Sequence, residues 1–303
     1  MDIDDLNAFL AVARHGSLQY AARELNLTPS ALSKAIKRLE EMLGCTVFDR
    51  VGKALKLNAA GERLRVRGGE LTRLASEIRA EFRGAESGML CRVVAPAVLQ
   101  WRFAAEFAAR LAARFPASGI AYERMYEQDA ISAVARGDAD FALVTRFAVD
   151  QGLPARLEAR SLDMIEMQLA CGASHPLIRQ AERLSDRTFG VTSAQVLQFD
   201  FACPNRSPFC GIERGARADG WRDDMLPRRV RYWLEDMQVL IALVRQGQAL
   251  AYLPDFALAD ERLVRLSVRD CPYHCAEEAM LVWQPDRAHG WHQYMADMAR
   301  AVT

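Results

Sequence analysis

The chain has 303 residues, about twice an ordinary domain, and its 51% apolar and 26% charged content predicts a folded protein of two or more domains. Disordered, collagen-like and low-complexity chains are excluded, and the longest apolar runs fall short of the roughly 18 residues that span a bilayer. Acidic Met1-Asp2-Ile3-Asp4-Asp5 lacks the basic and apolar regions of a secretion signal, and seven cysteines, an odd number over a long chain, fit reduced thiols, so the expectation is a cytoplasmic chain without a membrane partner.

Net charge is zero, 39 basic against 39 acidic residues, which taken alone speaks against a nucleic-acid partner. The distribution speaks for one. Residues 1–92 hold 15 Lys and Arg against 12 Asp and Glu, and within 32–56 the cations Lys34, Lys37, Arg38, Arg50, Lys53 and Lys56 outnumber Glu40, Glu41 and Asp49. A local basic face directs attention to this region first.

Leu6, Phe9, Leu10 and Ala13 recur at helical spacing, and His15-Gly16 ends that helix. Ser17 then opens a second helix with Leu18, Ala21, Ala22 and Leu25 inward, and Asn26-Leu27 turns the chain. Thr28-Pro29 reads as an N-cap followed by proline at the first helical position. The third helix runs to about Leu43 before Gly44, burying Leu32, Ile36, Leu39 and Leu43 and exposing Ser30, Ser33, Lys34 and Lys37, with Arg38 at the edge. Short hydroxyls in the first turn and cations a turn later suit a helix entering a major groove by its N-terminus. Thr46-Val47-Phe48 and Ala54-Leu55-Lys56-Leu57, around Arg50-Val51-Gly52-Lys53, read as a basic hairpin. The whole reads as a winged helix-turn-helix; the plainer alternative is a solvated three-helix bundle.

The run Phe9-Leu10-Ala11-Val12-Ala13-Arg14-His15-Gly16-Ser17-Leu18 continues through Ala21-Ala22, Leu25 and Thr28-Pro29-Ser30-Ala31-Leu32-Ser33. Beyond it stand Ile36, Leu39-Glu40, Leu43-Gly44, Phe48-Asp49-Arg50 and Asn58-Ala59-Ala60-Gly61. Over residues 1–65 this closely resembles the N-terminal domain of LysR-type transcriptional regulators. The resemblance implies a sequence-specific regulator, not an enzyme, without a cofactor. Its DNA contacts would come from Ser17, Thr28, Pro29, Ser30, Ser33, Lys34, Lys37, Arg38, Arg50 and Lys53. Two departures stand out. The family often has Gln-Pro where this chain has Pro29-Ser30, so an adenine-reading amide is absent. Asn58 stands where a threonine is usual and can cap in its place.

From Ala59 to about Glu86 the chain reads as one long helix in which Leu64, Leu71 and Ile78 are seven apart, with Ala75 and Phe82 between. That is a seam for a second copy, giving a homodimer or homotetramer, or else the contact face of a helix packed on its own domain. Gly68-Gly69 predicts a bend or a close helix contact within it, and Gly84 and Gly88 bracket a hinge.

From Leu90 strands and helices alternate: strands at Leu90–Ala95, Ile120–Met125, Asp140–Val144, Met164–Cys171, Val196–Ala202 and Ala249–Leu253, helices at Leu99–Phe115, Ala130–Ala135 and near Asp236–Gln246. This predicts an α/β fold with largely parallel sheets. The family resemblance implies a two-lobed, periplasmic-binding-protein-like (type 2) effector domain. The expected division is therefore 1–58, an all-α winged helix-turn-helix; 59–88, linker helix and hinge; and 89–303, with lobe I at about 89–161 and 262–303 and lobe II at about 162–261.

Ligands of open α/β sheets sit beyond the strands' carboxyl ends. Those positions hold Pro96, Ala97, Gln100 and Trp101, then Thr145, Arg146 and Phe147, then Cys203, Pro204 and Phe209, and finally Asp236. Family members commonly carry a Ser or Thr after the first strand for an effector carboxylate; Pro96-Ala97-Val98 lacks it. Arg146 either pairs with an anion or bridges the surface, and Trp101 is either core or ligand platform. The chain lacks a Gly-x-Gly-x-x-Gly, a P-loop and a Gly-x-Ser-x-Gly, and its histidines lack metal spacing. Cys271-Pro272-Tyr273-His274-Cys275 has no second ligand pair nearby. Cys203 and Cys210 bracket a loop: some regulators of this family sense oxidants through such a pair, while burial as small hydrophobes is the plainer reading. The expected partners are double-stranded promoter DNA, a small organic effector and further copies of the chain; the alternative trigger is oxidation of Cys203 and Cys210.

Overall fold

The computed structural model describes residues 2–51, 54–83, 90–212, 219–287 and 290–298. The chain divides into two compact units, one of Met1–Arg92, Ala109–Ala121 and Ala133–Asp140, the other of Val93–Ala108, Tyr122–Ser132 and Phe141–Thr303.

The first unit begins with three helices, α1 (Ile3–His15), α2 (Leu18–Glu24) and α3 (Pro29–Leu43). Asp2 caps α1 by accepting from the Asp4 amide, and Thr28 caps α3 by accepting from the Ala31 amide at 3.1 Å. Ser17 occupies the N-cap of α2 but makes no side-chain cap hydrogen bond. Asn26, at φ 53°, takes the left-handed turn between α2 and α3, a conformation its short polar side chain tolerates. The small residues Ala8, Ala11, Ala21, Ala22 and Ala35 let the three helices cross closely around Val12, Leu32 and Ile36. Leu43, expected inside, is 39% exposed because Leu39 and Val47 already close that end of the core against Leu6 and Phe9. The hairpin β1 (Phe48–Val51) and β2 (Ala54–Leu57) follows, antiparallel, with Arg50 opposite Leu55; Gly52 and Lys53 lie outside the described residues.

Helix α4 (Ala59–Arg83) starts on the Asn58 cap, whose Oδ1 accepts from the Ala60 and Gly61 amides at 3.0 and 2.9 Å. The expected seam divides along its length. Leu64 and Leu71 pack against Leu6, Phe9, Leu39 and Val47 of their own unit, which corrects their assignment to a seam between copies. Gly68 makes this possible: a Cβ there would sit 2.7 Å from Leu6 Cδ1. A turn later Leu74 and Ile78 stand 48% exposed, with Ala75 half-buried beside them. The Phe82 side chain, Gly84 and Gly88 lie outside the described residues.

The chain continues through β3 (Leu90–Ala95), α5 (Ala97–Arg114), β4 (Gly119–Arg124), α6 (Glu127–Arg136), β5 (Phe141–Thr145), α7 (Arg146–Asp150) and the long β6 (Glu158–Gly172). There follow β7 (Glu182–Arg183), β8 (Thr188–Val191), α8 (Ser193–Val196), β9 (Asp200–Pro204), β10 (Arg229–Leu234), α9 (Met237–Arg245), β11 (Ala251–Pro254), β12 (Leu263–Val268), β13 (Ala276–Trp283) and α10 (Gly290–Met298). Among the described residues one sheet runs β4-β3-β5-β13-β6-β12-β8-β7, with β11 also on β6. The sheet is mixed rather than largely parallel. β13 runs antiparallel to both β5 and β6, and β11 and β12 are antiparallel to β6. β6 outruns its predicted length because its first half, charged at Arg160 and Asp163, is held by β13 rather than by an apolar pattern. Its second half carries β11 and β12, so one strand passes through both halves of the sheet.

Two sequence expectations change here. The predicted strand Val196–Ala202 begins as a helical turn, because Thr192 and Gln195 form a capping box; the strand starts only at Asp200. β12, assigned to the first lobe from about residue 262, pairs in parallel with β8 and antiparallel with Ala170–Gly172 of β6. It therefore belongs to the second half of the sheet, and the return to the first half comes at β13. Helix α9 lays Leu240, Ile241 and Val244 onto Ala170, Ala202, Ala249, Ala251 and Leu253.

Candidate functional site

In the first unit, α3 has a buried and an exposed side. Leu32, Ala35, Ile36 and Leu39 are buried, while Thr28, Pro29, Ser30, Ser33, Lys34 and Lys37 are exposed. Lys34 has no acidic partner among the described residues, and Lys37 makes only an exposed contact to Glu41 at 3.6 Å. Arg38 is corrected. Its guanidinium donates to both carboxylate oxygens of Asp5 on α1, with Nε 3.1 Å from Oδ2. Asp5 is 7% exposed and needs a counter-charge, so Arg38 braces α3 on α1. Ser17 is half-buried, and Arg50 lies on β1. A second ionic group backs the domain: Glu24 accepts from Arg14 at 2.6 Å and from Arg92 at 3.0 Å and meets His15 at 2.7 Å. Partial burial pushes the Glu24 carboxyl up, but Arg14, His15 and Arg92 together outweigh it and hold the group at about 2.

In the second unit the expected ligand positions separate into two cavities. Pro96, Ala97, Pro204 and Asp236 line one of about 470 Å³, together with Arg124, Tyr126 and Arg206. Asp236 caps α9, accepting from the Gln238 and Val239 amides at 2.7 and 3.1 Å, so the first turn of that helix already holds a carboxylate. Thr145, Phe147 and Phe209 line another of about 840 Å³, with Glu127, Ser207, Asp219, Tyr273 and Glu277.

The remaining candidates do other work. Gln100 donates from Nε2 to the carbonyls of Ala95 and Glu123, both at 2.9 Å, tying the ends of β3 and β4 together. Trp101 stands edge-on to Phe256 at 4.9 Å, 39% exposed, and lines neither cavity. Arg146 forms a fork with Glu278, at 2.9 and 3.1 Å, which favours the bridging reading over an anion site. Cys203 is 1% exposed and donates to Asp219 at 3.4 Å; burial, reinforced by Asp219, pushes its thiol well above the usual range. A thiol held protonated in this way is a poor target for oxidants. Among the described residues no group of three or more His, Cys, Asp or Glu side chains is placed to hold a metal ion.

Sequence reasoning missed Glu127 and Glu277. Glu127 follows β4 and opens α6, is 1% exposed, and accepts the Thr145 amide at 2.6 Å. Burial raises its carboxyl, with the bonds from Thr145 opposing. Burial also raises Glu277 on β13, and the Glu127 charge adds to it. The position of Glu127 after a strand was a usable signal; its neighbour across the cavity comes from a strand about 150 residues later.

Residues 3–62 match the bacterial regulatory helix-turn-helix protein, lysR family, and residues 84–298 match the LysR substrate binding domain. The chain belongs to the LysR family. A RuBisCO operon transcriptional regulator of Acidithiobacillus ferrooxidans is 50% identical over 62 residues, 20% of each chain. The HTH-type transcriptional regulator DgdR of Burkholderia cepacia is 27% identical over 259 residues, 85% of this chain and 79% of that one. Several likenesses are local: this chain spans 20% to 44% of the length of three of the relatives it matches. The crystal structure of full-length CbnR complexed with its target DNA has the same fold, with a TM-score of 0.60 at 15% identity and 100% of both chains covered. In this LysR-family chain the exposed face of α3 falls within the helix-turn-helix match, and the residues of both cavities fall within the substrate-binding match. No helix among the described residues is long and apolar enough to cross a membrane.

Proposed function

We propose that this LysR-family chain is a sequence-specific DNA-binding transcription regulator of the cytoplasm, working as a homodimer or homotetramer and controlled by a small organic molecule bound in its second unit. The observation that carries the DNA reading is the capped N-terminus of α3, where Ser30, Ser33 and unpaired Lys34 stand exposed beside Thr28 and Pro29. The hydroxyls are placed for base edges and the ammonium for phosphate or guanine. Arg50 and Lys53 of the hairpin add backbone contacts in this reading. Two such helices held by a dimer read successive major grooves, which one helix cannot. Exposed Leu74 and Ile78 support that dimer.

The effector acts by binding one arrangement of the regulator more tightly than another. The larger cavity, with aromatic, apolar and polar walls, is the better candidate site. The oxidation reading, through Cys203 and Cys210, is not favoured, because Cys203 is buried and held protonated.

Binding of a fragment of the gene's own upstream region, measured against salt, tests the DNA assignment. A Lys34→Ala, Arg50→Ala double variant is expected to lose affinity at every site sequence and to reduce the salt slope by about 2. Unchanged binding by that variant refutes the assignment.

A further inference from the structure

The charge balance of the 840 Å³ cavity selects a class of ligand. Its wall carries Glu127, Asp219, Arg222 and Glu277. Asp219 is answered by Arg228, which donates to both of its oxygens at 2.7 and 2.8 Å. Arg222 is answered by Asp224, at 2.7 and 2.6 Å, and lies over the Tyr273 ring at 4.9 Å. Glu127 receives a backbone amide and Glu277 receives no cation among the described residues. Among the described residues two carboxylates are thus left without a lysine or arginine partner, in a cavity within the size range of small-molecule sites. Cys275 on the same wall responds to this field: burial first, then Glu277 and Asp219, push its thiol up to about 11. Phe147, Phe209, Ile212 and Met167 supply apolar surface, and the faces of Phe147, Phe209 and Tyr273 suit a positive group. A metal ion does not fit, since no group of three or more ligating side chains comes together among the described residues.

We propose that this cavity takes an organic cation, an ammonium or guanidinium on an apolar body, with Glu127 and Glu277 as its counter-charges. The proposal rests on the reading that the second unit binds a small effector, and deepens it. Each carboxylate accepts a charge-assisted hydrogen bond, and a cationic donor adds a direct charge attraction that a neutral donor lacks. An anion entering here meets like charge and, among the described residues, no unpaired lysine or arginine to receive it.

Calorimetric titration of the full chain with phenethylamine, phenethyl alcohol and 3-phenylpropionate tests this, since the three share a body and differ in charge. Phenethylamine is expected to bind, the alcohol to bind roughly tenfold more weakly, and the propionate not at all. Glu277→Gln is expected to weaken phenethylamine roughly tenfold, and Glu127→Gln, whose amide oxygen still accepts from Thr145, to do likewise. Unchanged tryptophan fluorescence and melting temperature show that both variants are folded. Binding of the propionate in preference to the amine overturns the charge class and leaves the effector reading standing. Failure of all three probes to bind overturns both. Segment 213–218, outside the described residues, contributes Arg214 and Arg217 to the sequence. An Arg214→Ala, Arg217→Ala variant is expected to bind phenethylamine as the parent does; a roughly tenfold gain would mean that these arginines answer the carboxylates, and would overturn the proposal.

Discussion

Replacing Arg228 by alanine removes the counter-charge beneath the larger cavity. Arg228 is 2% exposed at its side chain and Asp219 1%. The guanidinium holds Asp219 by two parallel bonds at 2.7 and 2.8 Å, donates to Asp223 at 3.0 and 3.2 Å, and lies 5.3 Å from the Phe201 ring and 5.6 Å from that of Trp221. Asp223, 36% exposed, rehydrates when the arginine goes and adds little to the loss. Asp219, 1% exposed at its side chain, regains little water in exchange. Stranding one member of a buried pair costs about 3–5 kcal/mol, and loss of the stacking on two rings adds to it. The assay is urea unfolding followed by tryptophan fluorescence, which reports the second unit because all five tryptophans lie there. A paired Asp219→Leu, Arg228→Met variant, with no charge to strand, is expected within roughly 1 kcal/mol of the parent. A loss below about 1 kcal/mol for Arg228→Ala alone would refute the reasoning, since a buried Asp219 stripped of its counter-charge costs more than that.

Three further outcomes follow from the first unit. Glu24, held at about 2 in the fold against an ordinary 4.5, contributes stability that is complete above the unfolded value and is lost as pH falls from there toward 2. The gap between parent and Glu24→Gln, read by hydrogen exchange of α1 and α2, is expected to be about 1–2 kcal/mol at pH 6 after allowance for solvent around the group, and to shrink by more than half by pH 3; a gap independent of pH contradicts this. Gly61→Ala improves helix propensity on paper, but its Cβ would lie 2.1 Å from the Val47 carbonyl oxygen, which accepts from the Asn58 amide. A net loss of about 2 kcal/mol in thermal or urea unfolding is expected, and a gain would show that the hairpin and α4 can separate freely. Ile78→Asp, which places a charge on the exposed apolar end of α4, is expected to give a monomer by light scattering and to weaken promoter binding; an intact oligomer would place the dimer contact elsewhere.

Much of the first unit was legible in the sequence because its signals are local. The Thr28-Pro29 start of α3, the Asn58 cap and the left-handed Asn26 each act within a few residues of themselves. The 3.6-residue period of α1 and α3 marks the buried face without reference to a partner. The exposed hydroxyls and Lys34 were legible for the same reason, as the side of α3 opposite that stripe. The pairing of Arg38 was not legible because Asp5, its partner, lies 33 positions earlier and nothing local distinguishes a bracing arginine from a free one.

The second unit was legible only in outline. Its α/β alternation is a local pattern, but strand neighbours are chosen by pairings between distant segments. β12 joins β8 rather than the first half of the sheet, and β6 carries partners at both ends that no periodicity announces. The cavity walls follow the same rule. Arg146 is occupied by Glu278, 132 positions away, while Glu127 and Glu277 come to share one cavity. Periodicity and caps act over one or two turns of chain, so the sequence alone determined the helix-turn-helix and its exposed polar face. Burial and counter-charge depend on what the fold brings together, so tertiary structure alone decided which charges among the described residues are paired.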